Sequence, residues 1–149
     1  MKVELQYEPE IVSLSELEVI EFFNRTISDF PSFREEEFRI KYARKLSANA
    51  SFVVMRNIKG DIVAMIAAYI NKPPLCYISH VSVLDEYKRN SLFSRMLAFL
   101  EKIAKHDNCS IIKLEVKENN APAIAAYKKN GFVIDCMASK DSMYMQKLL

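Results

Sequence analysis

Hydrophobic and polar positions along the chain change period several times, and each change marks an element. Residues 2–7 set Val3, Leu5 and Tyr7 against Lys2, Glu4 and Gln6, the alternation of a short strand. Ser15 with Glu18 three residues on is a capping box, and Leu17, Ile20, Phe22, Phe23 and Ile27 follow at helical spacing. Pro31 disfavours helix in the residue before it, which predicts an end near Asp29. A second amphipathic helix is predicted from about Phe33 to Leu46, with Phe38, Tyr42 and Leu46 in an i, i+4 series.

After Asn49 the period shortens. Phe52–Arg56 and Ile62–Ile70 are β-rich runs joined by Asn57-Ile58-Lys59-Gly60-Asp61, a hairpin loop whose glycine supplies positive φ. Pro73-Pro74 predicts an extended break, and Cys76–Val83 reads as a third strand. A helix follows from about Ser91 to His106, then a strand at Ile111–Val116. Asn120 caps a short helix with Ala121-Pro122 in its first turn, and Gly131 ends it in the left-handed conformation. Strands at about 132–138 and 142–148 complete the order β-αα-βββ-α-β-α-ββ. Strands and helices interleave, but the ββ neighbours make the sheet mixed, an α/β (α+β) architecture in one domain over residues 1–149.

Composition narrows the chemistry. Lys+Arg 21 against Asp+Glu 19 gives a formal charge of +2, too small for bulk attraction to nucleic acid or an anionic membrane. Cys76, Cys109 and Cys136 form no CxxC pair and have no histidine at metal spacing, so a disulfide framework or metal site is not expected, and they read as small core hydrophobes. The start has no apolar signal-peptide core and no apolar run approaches the ~18 residues of a membrane span, so the expected location is the cytoplasm. Gly60 and Gly131 are the only glycines, where average usage of ~7% would give about ten. Neither the P-loop nor the dinucleotide-binding glycine motif can be written with them.

Residues 76–132 carry the most specific signal. Asn120-Ala121-Pro122-Ala123-Ile124-Ala125-Ala126-Tyr127-Lys128-Lys129-Asn130-Gly131-Phe132 follows N-x-x-A-I-x-x-Y-x-x-x-G-F and comes directly after the strand Lys113-Leu114-Glu115-Val116. Upstream, Val81-Ser82-Val83-Leu84-Asp85-Glu86-Tyr87-Lys88 ends a strand and leads into a helix. Together these resemble the two hallmark motifs of the GNAT superfamily of acyl-CoA-dependent N-acetyltransferases, and the element order fits that family.

The resemblance implies that strands Cys76–Val83 and Ile111–Val116 are parallel neighbours that splay apart, with the pantetheine arm of acetyl-CoA against Val81 and Val83. It places the pyrophosphate at the start of the Ser91 helix, where free N–H groups and the helix dipole favour anions. The contacting stretch is then Lys88, Arg89, Asn90, Ser91, Leu92, Phe93 and Ser94, joined by Asn120 and Ala123. The family loop reads R/Q-x-x-G-x-G/A. Here Lys88 keeps the charge, while Ser91 and Phe93 replace the small residues, and the Phe93 ring is expected to turn into the core beside Leu97. Tyr127 lies where the family often places a general acid for the departing thiolate.

The base has several candidates. Positions that carry carboxylates in some family members are Tyr77 and Ser79 here. His80 has a suitable reference pKa of ~6.5, but strict alternation puts it on the opposite face from them. Glu115 raises the same question of facing, and a water relay needs no side-chain base. Phe30, Phe33 and Tyr69, with Tyr77 and Ser79, are candidates to line an acceptor pocket, although core packing explains the aromatics as well. The resemblance implies acetyl transfer to a primary amine, taken from the chain's size to be a small molecule. The alternatives are a protein or peptide amine, or a non-catalytic module of the same fold that has lost CoA binding. No metal or nucleic acid is implied, and a homodimer is compatible with the sequence.

Overall fold

A computed structural model describes residues 8–149. The first strand, β1 (Glu10–Val12), is followed by α1 (Glu16–Asn24), α2 (Glu36–Asn49), β2 (Ser51–Arg56), β3 (Ile62–Lys72) and β4 (Leu75–Val83). Then come α3 (Leu92–His106), β5 (Ile111–Lys117), α4 (Ala121–Lys129), β6 (Val133–Met137) and β7 (Ser142–Leu148). The strand expected at 2–7 lies outside the described residues. The sheet order is β1-β2-β3-β4-β5-β7-β6, with β4 parallel to β5 and antiparallel pairs at β1/β2, β5/β7 and β7/β6. The element order and the mixed α/β sheet agree with the sequence pattern.

Contacts cluster into two units. One comprises the described residues up to Ala67 together with His80–Phe99; the other comprises Ala68–Ser79 and Leu100–Leu149. In the first, the capping box forms as read: Ser15 Oγ accepts from Glu18 N at 3.2 Å, and Glu18 Oε1 accepts from Ser15 N at 3.0 Å. The helix ends at Asn24 rather than near Asp29. The Thr26 hydroxyl donates to Phe23 O at 3.2 Å, competing for a carbonyl the next turn would need, and short 3-10 turns take over at Ile27–Asp29 and Pro31–Arg34. The second helix therefore starts at Glu36, and Phe33 sits in the preceding turn. The run Val63–Ala67 is wholly buried, the reading of a continuous apolar strand covered on both faces.

In the second unit, β3 reaches Lys72 and β4 begins at Leu75, so Pro73-Pro74 forms a tight turn rather than an extended break. Its buried apolar residues include Ile112, Leu114, Phe132 and Met145, along with Cys76 and Cys109; Cys136 is exposed on β6, not the core residue expected. Gly131 ends α4 at φ +94, and a Cβ there would come within 3.1 Å of Lys147 Cε. Phe132 N then bonds back to Tyr127 O at 3.0 Å, which closes the helix end.

Candidate active site

The loop ahead of α3 is the clearest local structure in the first unit. Arg89 and Ser91 both hold left-handed backbone, φ 65 and φ 59, while Asn90 between them keeps ordinary negative φ. Alternation of hand between successive residues is a backbone form found in anion-binding concavities. Ser91 O accepts from Arg95 N at 3.1 Å, so Ser91 is the helix cap, and the N–H groups after it are those a helix start leaves open. Ser91 thus adopts the conformation for which glycine is favoured, without glycine.

Side chains brace this loop. Asn90 Nδ2 donates to Tyr87 O (3.2 Å) and Lys88 O (2.9 Å), while Asn57 Nδ2 donates to the Tyr87 hydroxyl at 3.2 Å. Lys88 Nζ lies 2.8 Å from Asp85 Oδ1 and 3.2 Å from Asp29 Oδ1. The Asp85 bond and then Asp29 hold the Lys88 ammonium's pKa above its ordinary value. Sequence reading identified Lys88 but not these two carboxylates; Asp85, three residues upstream, was the available signal. Arg89, Asn90 and Ser91 are exposed, Leu92 is buried, and Phe93 and Ser94 are half-buried.

His80 is enclosed. It is 5% exposed, with the rings of Phe23, Phe30, Phe33 and Tyr42 at 5.0, 5.1, 5.7 and 6.0 Å between centroids. Its Nε2 meets Ser82 Oγ at 3.0 Å. Burial pushes its pKa down to about 3, so the ring is neutral. Cys76, Ile78, His80 and Ser82 are the buried positions of β4, the strict alternation read from the sequence. Phe33 is 2% exposed and belongs to this ring cluster, whereas Phe30 is half-buried.

The β4–β5 ladder lies in the second unit and pairs Leu75↔Ile111 through Ile78↔Leu114; β4 continues to Val83 and β5 to Lys117. Tyr77 is opposite Lys113, so alternation puts Ser79 and Glu115 on that same face. This answers the question of facing for Glu115. Glu115 is exposed, stands opposite Tyr144 on β7, and its Oε2 accepts from Ser142 Oγ at 2.8 Å. Burial, then the Glu115 charge, raises the Tyr77 pKa, and burial does the same to half-buried Tyr69. Asn120 caps α4, its Oδ1 accepting from Ala123 N at 3.3 Å. The Tyr127 ring lies 5.8 Å from that of Phe132 between centroids in a tilted pair, and burial pushes its phenol up to about 12. Ser142 carries no sequence signal of its own, since only the β5/β7 register brings it to Glu115.

β4 parallel to β5 in a mixed sheet, with a left-handed turn between β4 and α3, makes this an α/β fold. The chain belongs to the acetyltransferase (GNAT) family, whose model matches residues 13–132. It is similar to the catalytic subunit of the N-terminal acetyltransferase B complex of Arabidopsis thaliana, 36% identical over 59 residues, 39% of this chain and 34% of that protein. It is also similar to an N-alpha-acetyltransferase of Saccharolobus solfataricus, 39% identical over 57 residues, 38% of this chain and 34% of that protein. Each match thus spans about a third of the relative's length. Among solved structures it is similar to Ard1 from Thermoplasma volcanium (TM-score 0.75, 18% identical, covering 96% of this chain and 99% of that one). The PaiA N-acetyltransferase from Thermoplasma acidophilum, solved in complex with coenzyme A, is similar too (TM-score 0.74, 17% identical, 96% and 100%). Identities this low show a shared fold alone.

Proposed function

We propose that the protein transfers the acetyl group of acetyl-CoA to a primary amine by direct attack in a ternary complex. The observation that carries this reading is the turn at Arg89–Ser91, where left-handed backbone leads into a helix start whose open N–H groups suit a pyrophosphate. Lys88 adds charge once it exchanges Asp85 and Asp29 for phosphate. Val81 and Val83, beyond the last β4–β5 pair at Ile78↔Leu114, offer backbone groups to the pantetheine arm. Asn120 and Ala123, at the start of α4, are the positions to which the family resemblance assigns contacts with that arm.

The acceptor's ammonium loses a proton, and the lone pair of the neutral amine attacks the thioester carbonyl carbon. The nitrogen of the new C–N bond sheds a second proton to solvent, and the C–S bond breaks with its electrons going to sulfur. A backbone N–H near Val83 polarises the carbonyl. With a phenol at about 12, Tyr127 stays protonated across working pH. Full transfer to a thiolate, whose own reference pKa is ~8.5, runs uphill. Tyr127 therefore donates a hydrogen bond to the departing sulfur, and solvent completes its protonation. His80, titrating at about 3 inside its ring cluster, is poorly matched to a base's task.

For the acceptor, the names of the two curated relatives favour the α-amine of a polypeptide over the small-molecule amine expected from chain size. We assign Tyr69, Tyr77 and Ser79, all in the second unit, to its approach. Mass-spectrometric detection of acetyl transfer to short peptides with free N-termini, beside a panel of small primary amines, tests this. Acetylated peptides are expected. Transfer only to small amines would reverse the choice of acceptor, and no transfer by folded protein to either would remove the enzyme reading in favour of a binding module.

A further inference from the structure

Residues 27–34, which join α1 to α2 within the first unit, are tied at both ends. At the α2 end, Arg39 Nη1 donates to Phe33 O and Arg39 Nε donates to Asn24 Oδ1 at 3.0 Å, so one guanidinium grips the second short turn and the end of α1 together. At the α1 end, Asp29 closes the turn Ile27–Asp29, and its Oδ1 accepts from Lys88 Nζ at 3.2 Å. The backbone between these ties is held lightly. Phe30 N reaches Ile27 O only at 3.4 Å, the long end of the hydrogen-bond range. Phe30 itself is half-buried, its ring 4.9 Å from Phe33 and 5.1 Å from His80 between centroids.

The two carboxylates on Lys88 are not equivalent. The Asp85 side chain is 75% exposed and the Asp29 side chain 25%. When the ammonium turns away, water replaces it at Asp85 at little cost. Asp29 is mostly covered, so without the ammonium its charge stays partly desolvated. The three N–H donors of Lys88 could serve three acceptors, but its single positive charge is already outnumbered by Asp85 and Asp29. A phosphate that engages Lys88 is therefore repelled by whichever carboxylate stays. Asp85 can swing into solvent, whereas Asp29 has a one-carbon stem, and its release is felt by the turn that carries it.

We propose that Asp29 is a positioning residue of the cofactor site: it holds Lys88 in the empty protein, and the arriving pyrophosphate takes the ammonium from it, which loosens residues 27–30 while Arg39 keeps Phe33 in place. This rests on the acetyl-CoA reading above. Asp29 acts through Lys88 and touches no reacting atom. The coupling is reciprocal: to the extent that pyrophosphate loosens residues 27–30, a change that already frees Lys88 from Asp29 strengthens pyrophosphate binding by the same factor.

Amide hydrogen exchange read by peptide mass spectrometry tests this in wild type, Asp29→Asn, Lys88→Gln and Asp85→Asn, each alone, with acetyl-CoA, and with S-acetylpantetheine, which lacks the pyrophosphate. In wild type, saturating acetyl-CoA is expected to slow exchange at Ser91–Ser94 and to speed it about two- to fivefold at 27–30, the range an ion pair is worth. S-acetylpantetheine should leave residues 27–30 unchanged. Asp29→Asn, an isosteric change, should exchange fast at 27–30 before any ligand, show no further rise with acetyl-CoA, and bind it about two- to fivefold more tightly at low salt. Lys88→Gln breaks the same tie from its other end and should match the fast exchange without ligand, while Asp85→Asn keeps the wild-type response. Slowed exchange at Ser91–Ser94 with residues 27–30 unchanged or also slowed overturns the proposal, as does a rise that persists in Asp29→Asn. Acetyl-CoA that fails to bind, or binds without slowing Ser91–Ser94, brings down the placement of the pyrophosphate instead.

Discussion

The enclosed His80 makes this fold sensitive to mild acid, and the size of the effect follows from its burial. In the unfolded chain a histidine titrates near 6.5; in the folded protein His80 is pushed down to about 3. As pH falls through 6.5 the unfolded state gains a proton that the native state refuses, so the native state loses ground. The stability is fully present above about pH 6.5 and drains away toward pH 3. One proton costs about 1.4 kcal/mol per pH unit once titration is under way, which gives roughly 2 kcal/mol lost between pH 7 and pH 5. That window lies above the ordinary carboxylate range, so acid titration of aspartates and glutamates contributes little to it. Urea unfolding at pH 7, 6 and 5, with a constant m-value, reads the loss directly. His80→Phe, which keeps a ring among Phe23, Phe30, Phe33 and Tyr42, should flatten the dependence whatever it does to the absolute stability. Equal losses in wild type and His80→Phe between pH 7 and pH 5 would refute the reasoning.

Other expectations concern the loop and α4. Ser91→Gly should raise the melting temperature slightly: removing a left-handed non-glycine residue returns about 1 kcal/mol, partly offset by the freer unfolded chain. Acetyl-CoA affinity should survive that change, and a lower melting temperature would contradict the φ of 59 at this position. Asp85→Asn frees Lys88 from its 2.8 Å partner and should tighten acetyl-CoA binding roughly two- to fivefold at low salt, the range an exposed ion pair is worth; weaker binding in calorimetry would show that the pair positions Lys88 instead. Asn120→Ala removes the α4 cap and should cost about 1 kcal/mol in urea unfolding. Tyr127→Phe should lower kcat while acetyl-CoA affinity holds, and unchanged steady-state turnover would remove Tyr127 from the reaction.

Much of the fold was legible because its signals are local. Ser15 with Glu18, Asn120 and Gly131 announce helix ends through chemistry confined to one turn, and each behaves as read. The end of α1 was misread because Thr26 bonds back to Phe23 O, a competition that hydrophobic spacing does not register. The loop before α3 was harder still. The family resemblance marked Ser91 as a position where glycine is usual, yet side-chain identity does not fix backbone conformation, and the braces from Asn90 and Tyr87 hold the turn. The facing of Glu115 depended on the Tyr77↔Lys113 register, and its link to Ser142 on the β5/β7 register; both are long-range pairings that no local pattern encodes. Lys88 was visible as a charge, while its capture by Asp29 required the chain to return from α1.

In the proposed function the Lys88–Ser91 turn holds the pyrophosphate of acetyl-CoA. Isothermal titration of the folded protein with acetyl-CoA and with S-acetylpantetheine, which carries the same thioester arm but no pyrophosphate, tests it most directly. Saturable binding of acetyl-CoA, weakened more than tenfold when the pyrophosphate is absent, is the predicted result. Equal affinity for the two ligands, or no binding of acetyl-CoA at all, would contradict it.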